Sequence, residues 1–186
     1  NYVAEGDYWE NEYYGLLLAS LMGMVMMSSS RDLISIFVAL ELLSIPAYLM
    51  VAWRKRDARS NEAGLKYYLM GVFASAVMLY GMSLLFGVSG STQLSDISSY
   101  LVSDASSSLA AVTLAIVFVV AGFAFKVSAA PFHTWAPDVY EGSPTPVTAF
   151  LSVASKAAGF VALLQLIYVG FHNQSAVYEP LIWILA

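Results

Sequence analysis

Five mostly apolar stretches follow one another along this chain, at 14–29, 33–53, 64–88, 109–136 and 147–169, with short polar breaks between them. A helix that crosses the roughly 30 Å hydrocarbon core of a bilayer needs about 20 such residues. In that medium only helices and closed barrels satisfy their own backbone. The pattern therefore predicts an all-α polytopic membrane protein with five transmembrane helices. Residues 171–186 form a loop and the start of a further helix, taken to begin at Pro180. Charged residues make up only 11% of the chain and apolar residues 59%, against about 25% charged in ordinary soluble domains. That excludes a soluble single domain. The 8 Lys+Arg and net charge of −5 leave no basic footprint for nucleic acid. With 0 Cys, disulfides, thiolate zinc sites, iron–sulfur ligation and cysteine nucleophiles are all excluded.

Residues 1–12 are polar and acidic and lack the pattern of a signal peptide. The end of the sequence lies inside an apolar run, as in an excerpt from a longer protein. The Ser-rich stretch 89–108 carries no periodic pattern and is assigned no structure. Arg54, Lys55, Arg56, Arg59 and Lys66 crowd the connection between the second and third spans. Basic loops face the cytoplasm, so this connection, the acidic segment 1–12 and the 138–146 return are placed on that side.

Three formal charges fall well inside the spans: Glu41, Lys126 and Lys156. Glu41 lies about 12 Å beyond Leu33, and Lys156 about 13 Å beyond Val147 from the opposite face, at about 1.5 Å per residue. Both reach the middle of the bilayer. Leu109–Ala136 as one straight helix would be about 42 Å long, more than the hydrocarbon is thick. A break near 128–131 would shorten it and set Lys126 deep, beside unwound backbone. Each such charge costs about 2.5–3.5 kcal/mol to insert. One explanation is a structural ion pair between Glu41 and one lysine, which leaves the second lysine alone. The other is a proton switch, since burial disfavours a charged lysine and a nearby carboxylate restores it. Pro46 follows Glu41 and Pro131 follows Lys126, each removing a helix hydrogen bond. Transporters place ion sites at such breaks, although proline kinks also serve plain packing.

His133 lies in the broken segment and could relay protons or simply pack. One histidine without cysteine makes no metal site. Lys66 sits at the edge of its span, where snorkelling explains it. The methionines at 22, 24, 26 and 27 read as apolar surface. No phosphate loop, nucleophile set, haem motif or nucleotide fingerprint is visible, so redox chemistry is placed elsewhere.

The stretch Phe125-Lys-Val-Ser-Ala-Ala-Pro-Phe-His-Thr-Trp-Ala-Pro-Asp-Val-Tyr-Glu-Gly-Ser-Pro-Thr-Pro-Val147, followed by Ser155-Lys-Ala157, closely resembles the subunit N family of the proton-pumping NADH:quinone oxidoreductase, respiratory complex I. Ala39-Leu-Glu-Leu-Leu-Ser-Ile-Pro-Ala-Tyr48 and Arg59-Ser-Asn-Glu-Ala-Gly-Leu-Lys-Tyr67 match it in the same order. The plastid and cyanobacterial counterpart, in the photosynthetic NDH complex, has closely similar motifs. Sister subunits L and M and the cation/proton antiporter subunits typically read Pro-Asp-Ala-His after the broken helix, where this chain reads Pro137-Asp-Val-Tyr-Glu-Gly142.

The resemblance implies a five-helix antiporter-like repeat with one broken helix, corresponding to helices four to eight of about fourteen, plus the start of the ninth. It implies a proton path through Glu41, Lys126 and Lys156, with Lys66 and His133 as further members. The second repeat and its lysine are absent from these residues. It also implies a translocase subunit with no cofactor or metal of its own. Quinone and NADH, or ferredoxin, would be used elsewhere in the complex. Partners would be other membrane subunits, especially sister antiporter-like ones, and lipid. The membrane would be a bacterial plasma membrane, or a thylakoid-type or organelle inner membrane. A cation/proton antiporter subunit and a non-conducting structural or coupling subunit are the alternative functions.

Overall fold

Asp32 begins the first long buried helix by capping it: its carboxylate accepts the Ser35 N–H at 2.9 Å, satisfying a backbone donor that the helix start leaves open. The computed structural model describes residues 10–103 and 109–186. Most of the acidic segment 1–12 therefore lies outside the described residues. Helix α1 (Glu10–Ser29) runs lengthwise against α2 (Leu33–Val51). Asp57 caps α3 (Ala58–Ser89) by accepting the Arg59 N–H at 3.0 Å. Gly90 ends α3 in the left-handed region, φ 70°, which suits a residue with no β-carbon. The 89–108 stretch, assigned no structure from sequence, contains α4 (Leu94–Ser103), whose Leu94, Ile97 and Leu101 are buried. Their spacing is helical, but the serines around them mask it. Leu33 N–H donates to the Thr92 carbonyl at 2.9 Å and Leu94 N–H to the Arg31 carbonyl at 3.0 Å, tying the α1–α2 turn to the α3–α4 loop.

Helix α5 (Leu109–Val127) packs along α3. Its end is built without glycine. Ser128 takes φ 58°, its N–H donates to the Phe125 carbonyl at 3.1 Å, and the Ala129 N–H reaches back to the Ala124 carbonyl at 2.9 Å. These are the two bonds of a Schellman stop, with serine where glycine usually stands. The chain turns through Pro131 and restarts as α6 (Trp135–Gly142). The indole Nε1 of Trp135 donates to the same Phe125 carbonyl at 3.1 Å, so the backbone acceptor freed by the break is satisfied inside the protein.

The last long helix is continuous over 26 residues, Thr145–Gly170, but not uniform. It comprises α7 (Thr145–Phe150), a π-helical turn (Leu151–Ser155), α8 (Lys156–Gln165) and a second π turn (Leu166–Gly170). Helix α9 (Ser175–Leu185) already starts at Ser175, with Pro180 inside it, whereas the sequence placed the start at Pro180.

Among the described residues, four helices are long and apolar enough to cross a membrane: Leu33–Val51, Ala58–Ser89, Leu109–Val127 and Thr145–Gly170. Helix α1, counted with them from sequence, is 20 residues long. It falls short in apolarity because Asn11, Glu12, two tyrosines and terminal serines dilute its ends. Large apolar side chains such as Phe73, Leu79 and Phe86 stand exposed on α3, as lipid-facing residues do. The protein is an integral membrane protein. Inside, two apolar clusters stack end to end. One gathers Leu33, Ile36, Leu85, Val112 and Phe123. The other gathers Tyr48, Trp53, Tyr67, Trp135 and Val139.

Candidate functional site: buried charges joined to hydroxyls

One turn of α2 and the end of α5 bring Glu41, Ser44 and Lys126 close together. Lys126 follows Phe123 of the first apolar cluster and Phe125 of the second, so it sits where the two meet. Only 4% of its surface is exposed. Its Nζ donates to Ser44 Oγ at 2.9 Å. That hydroxyl in turn donates to the Leu40 carbonyl, one turn back on α2, at 2.6 Å. Glu41 occupies the same helix one turn before Ser44, since positions three apart share a face. Its carboxylate does not take the lysine. Instead Oε1 accepts from Ser75 Oγ of α3 at 2.6 Å.

The ion pairs among the described residues are Arg54–Asp57, Arg59–Glu141, Lys66–Glu62 and Lys66–Asp138. Glu41 and Lys126 are thus a near pair with no contact within 4.0 Å, each end held by a serine. Between the serines lies a cavity of about 10 Å³, lined by Ser44, Tyr48, Ser75 and Lys126 among others. Tyr48 reaches this chamber because Gly71 of α3 leaves the space. A β-carbon at Gly71 would collide with the tyrosine hydroxyl and ring.

Lys156 begins α8, directly after the π turn. Such turns recur at functional sites because they re-aim the next side chain. It is half-buried, and its Nζ lies 5.5 Å from the centroid of the Tyr140 ring, a cation–π distance. The Tyr140 hydroxyl is buried with no hydrogen-bond partner, as is that of Tyr67. One turn on from Lys156, Gly159 leaves room for the Lys126 stem, whose Cγ would stand 3.4 Å from a β-carbon there. The Lys126 stem therefore packs against α8 one turn from Lys156.

The remaining residues singled out from sequence lie apart from this group. Lys66 pairs with Glu62 and Asp138, both at 2.7 Å, at the outer end of α3. That joins α3 to α6 without reaching inward. His133 is exposed in the turn after the break, and its carbonyl accepts the Ala136 N–H at 2.9 Å. Ser44, Ser75, Tyr48 and Tyr140 were not singled out from sequence. Ser44 had a signal, one turn from Glu41. Ser75 had none, because a helix apolar on most sides does not declare its rotation.

Residues 30–186 match the family described as NADH:quinone oxidoreductase/Mrp antiporter, TM. The chain belongs to that family. It is 45% identical, along its whole length, to an "NADH-quinone oxidoreductase subunit N" of Desulfitobacterium hafniense, and covers 37% of that protein. It is 56% identical over 87% of its length to an "NAD(P)H-quinone oxidoreductase subunit 2" of Crocosphaera subtropica, covering 31% of it. Respiratory complex I from Thermus thermophilus, solved with bound aureothin, contains a chain that superposes with a TM-score of 0.75 at 40% identity. The match covers 88% of this chain and 36% of that one. The chain spans about a third of the length of the curated relatives it matches.

Proposed function

We propose that this chain is the first antiporter-like repeat of a proton-translocating subunit in an NADH:quinone oxidoreductase-type complex, with Glu41, Lys126 and Lys156 carrying the protons. One observation carries the reading: a lysine enclosed in apolar protein, held by a neutral hydroxyl, with a carboxylate close by but not paired to it. A structural ion pair would close the gap, because breaking one charge away from its partner in a buried site costs several kcal/mol. An open pair lets the field at Lys126 be changed. When Glu41 approaches, the charged lysine is stabilised; when it withdraws, the lysine yields its proton toward Lys156, across the stem contact at Gly159. Moving one charge against the membrane field costs about 2.3 kcal/mol per 100 mV. A pair interaction modulated at an effective dielectric near 20 reaches that order.

Electron transfer, NADH and quinone belong to other subunits of the complex in this reading. Sister antiporter-like subunits and lipid flank the helices. The basic Arg54–Lys66 connection faces the cytoplasm, with Lys66, Glu62 and Asp138 at the entrance side of the path.

The test is made in the full-length subunit within its assembled complex, reconstituted in vesicles. Glu41→Gln and Lys126→Ala should each remove this subunit's share of pumped protons per electron while leaving assembly intact. Normal pumping with normal electron transfer in both variants would overturn the reading. The tight fit around Lys126 supports a second reading, a coupling element that does not conduct. That reading requires a packed, waterless interval between Lys126 and Lys156 in a high-resolution map of the complex.

A further inference from the structure

We infer that Glu41 and Lys126 are coupled through the hydroxyls of Ser44 and Ser75 and one water between them, with the Ser44 hydroxyl as the gate. This rests on the proton-path reading above and assigns two positioning residues to it.

Three features lead there. The lysine and the carboxylate each spend a short hydrogen bond on a serine, at 2.9 Å and 2.6 Å, instead of on one another. The two serines come from different helices, α2 and α3, and line the same small space. That space, about 10 Å³, is close to the size of a single water, and a buried water needs two to four polar neighbours. Ser44, Ser75 and Tyr48 supply them.

The present arrangement is an interrupted chain. Ser44 Oγ accepts from Lys126 but turns its own proton away, to the Leu40 carbonyl. Rotation about one side-chain bond would aim that proton into the cavity. The donors then all point one way: Lys126 Nζ to Ser44, Ser44 to water, water to Ser75, Ser75 to Glu41 Oε1. One N–H bond breaks at Lys126 and one O–H bond forms at Glu41. Each hydroxyl and the water between them passes one proton on and receives one. The product is a neutral lysine and a protonated glutamate, with no net charge moved out of the site. The same steps in reverse restore the charged pair. While Glu41 stands withdrawn, it and Lys126 can thus still exchange a proton through the bridge; its approach closes the direct pair instead.

The experiment uses the full-length subunit in its assembled complex in vesicles, with Glu41→Gln and Lys126→Ala measured in parallel. Ser44→Ala and Ser75→Ala are expected to lose the same share of pumped protons per electron as Glu41→Gln. Ser75→Thr, which keeps the hydroxyl, is expected to restore it and to return the pH profile of pumping to that of the wild type. If both alanine variants pump normally while Glu41→Gln and Lys126→Ala do not, the serine bridge is overturned and the path reading stands. If all four pump normally, both are overturned. A high-resolution map of the wild-type complex gives a check independent of any variant. One ordered water touching Ser44 and Ser75 is expected, and a dry chamber with Glu41 directly on Lys126 overturns the bridge.

Discussion

The molecule holds two clusters of acids and bases, and they are built on opposite rules. At the outer end, Lys66 touches Glu62 and Asp138 directly, and Arg59 faces Glu141. Glu62, Asp138, Arg59 and Glu141 are exposed and Lys66 is partly so. Between α2, α3 and α5, Glu41 and Lys126 hold hydroxyls and leave one another unpaired. Water screens the outer charges, so direct contact there is worth little and fixes little. Lys126 is cut off from water and Glu41 is half-buried, so screening is weak there and a direct contact would be hard to undo. Hydroxyls are the compromise: they satisfy each charge with a dipole that can rotate. Rigidity is thus placed where α3 and α6 must stay together, and adjustability where charge must change.

The comparison is broken most decisively by swapping the rules. Lys126→Leu should abolish the subunit's proton share outright, whereas the double variant Glu41→Gln/Lys126→Leu, which removes both charges, should leave folding intact or raise stability by about 1–4 kcal/mol. Pumping assays and thermal unfolding of the same complex check both halves. A large loss of stability in the double variant would mean that Lys126 is a structural member after all. Gly71→Ala should come next. Its new methyl displaces Tyr48 from the inner chamber, at about 1–3 kcal/mol for overpacking, and lowers pumping with it. Lys66→Gln should have a smaller effect. Electron transfer should stay normal, and the sensitivity of the thermal midpoint to added salt should diminish, since screening acts on exposed pairs. A pumping loss as large as that of Lys126→Leu would move Lys66 into the path. The smallest effect belongs to Ser128→Gly, outside both clusters. Relieving a left-handed serine should raise stability by about 1 kcal/mol, read as a higher unfolding midpoint with unaltered pumping.

The break was legible in the sequence: Lys126 followed by Pro131 anticipates the helix end at Val127, although the same pairing of Glu41 with Pro46 leaves α2 continuous. Counting helix rise gives Glu41 and Lys156 similar expected depths. Contacts were less legible. The choice of Ser44 over Glu41 by Lys126 depends on the rotation of α5 against α2. The Ser75 contact depends on the rotation of α3, which is apolar on its lipid side and on its packed side alike. Periodicity therefore cannot orient it. His133 illustrates the converse. Its position beside the break left both a relay and plain packing open, and the turn after Pro131 leaves it exposed. Helix α4 was hidden for a compositional reason, its three buried apolar residues being outnumbered by serines.

The chamber beside Lys126 has room for one solvent molecule and no more. A wider passage would fill with a continuous file of solvent and short-circuit the gradient whenever the machine stood idle. At this bore the helices would insulate by default, and along the proposed path conduction would need a bond to turn.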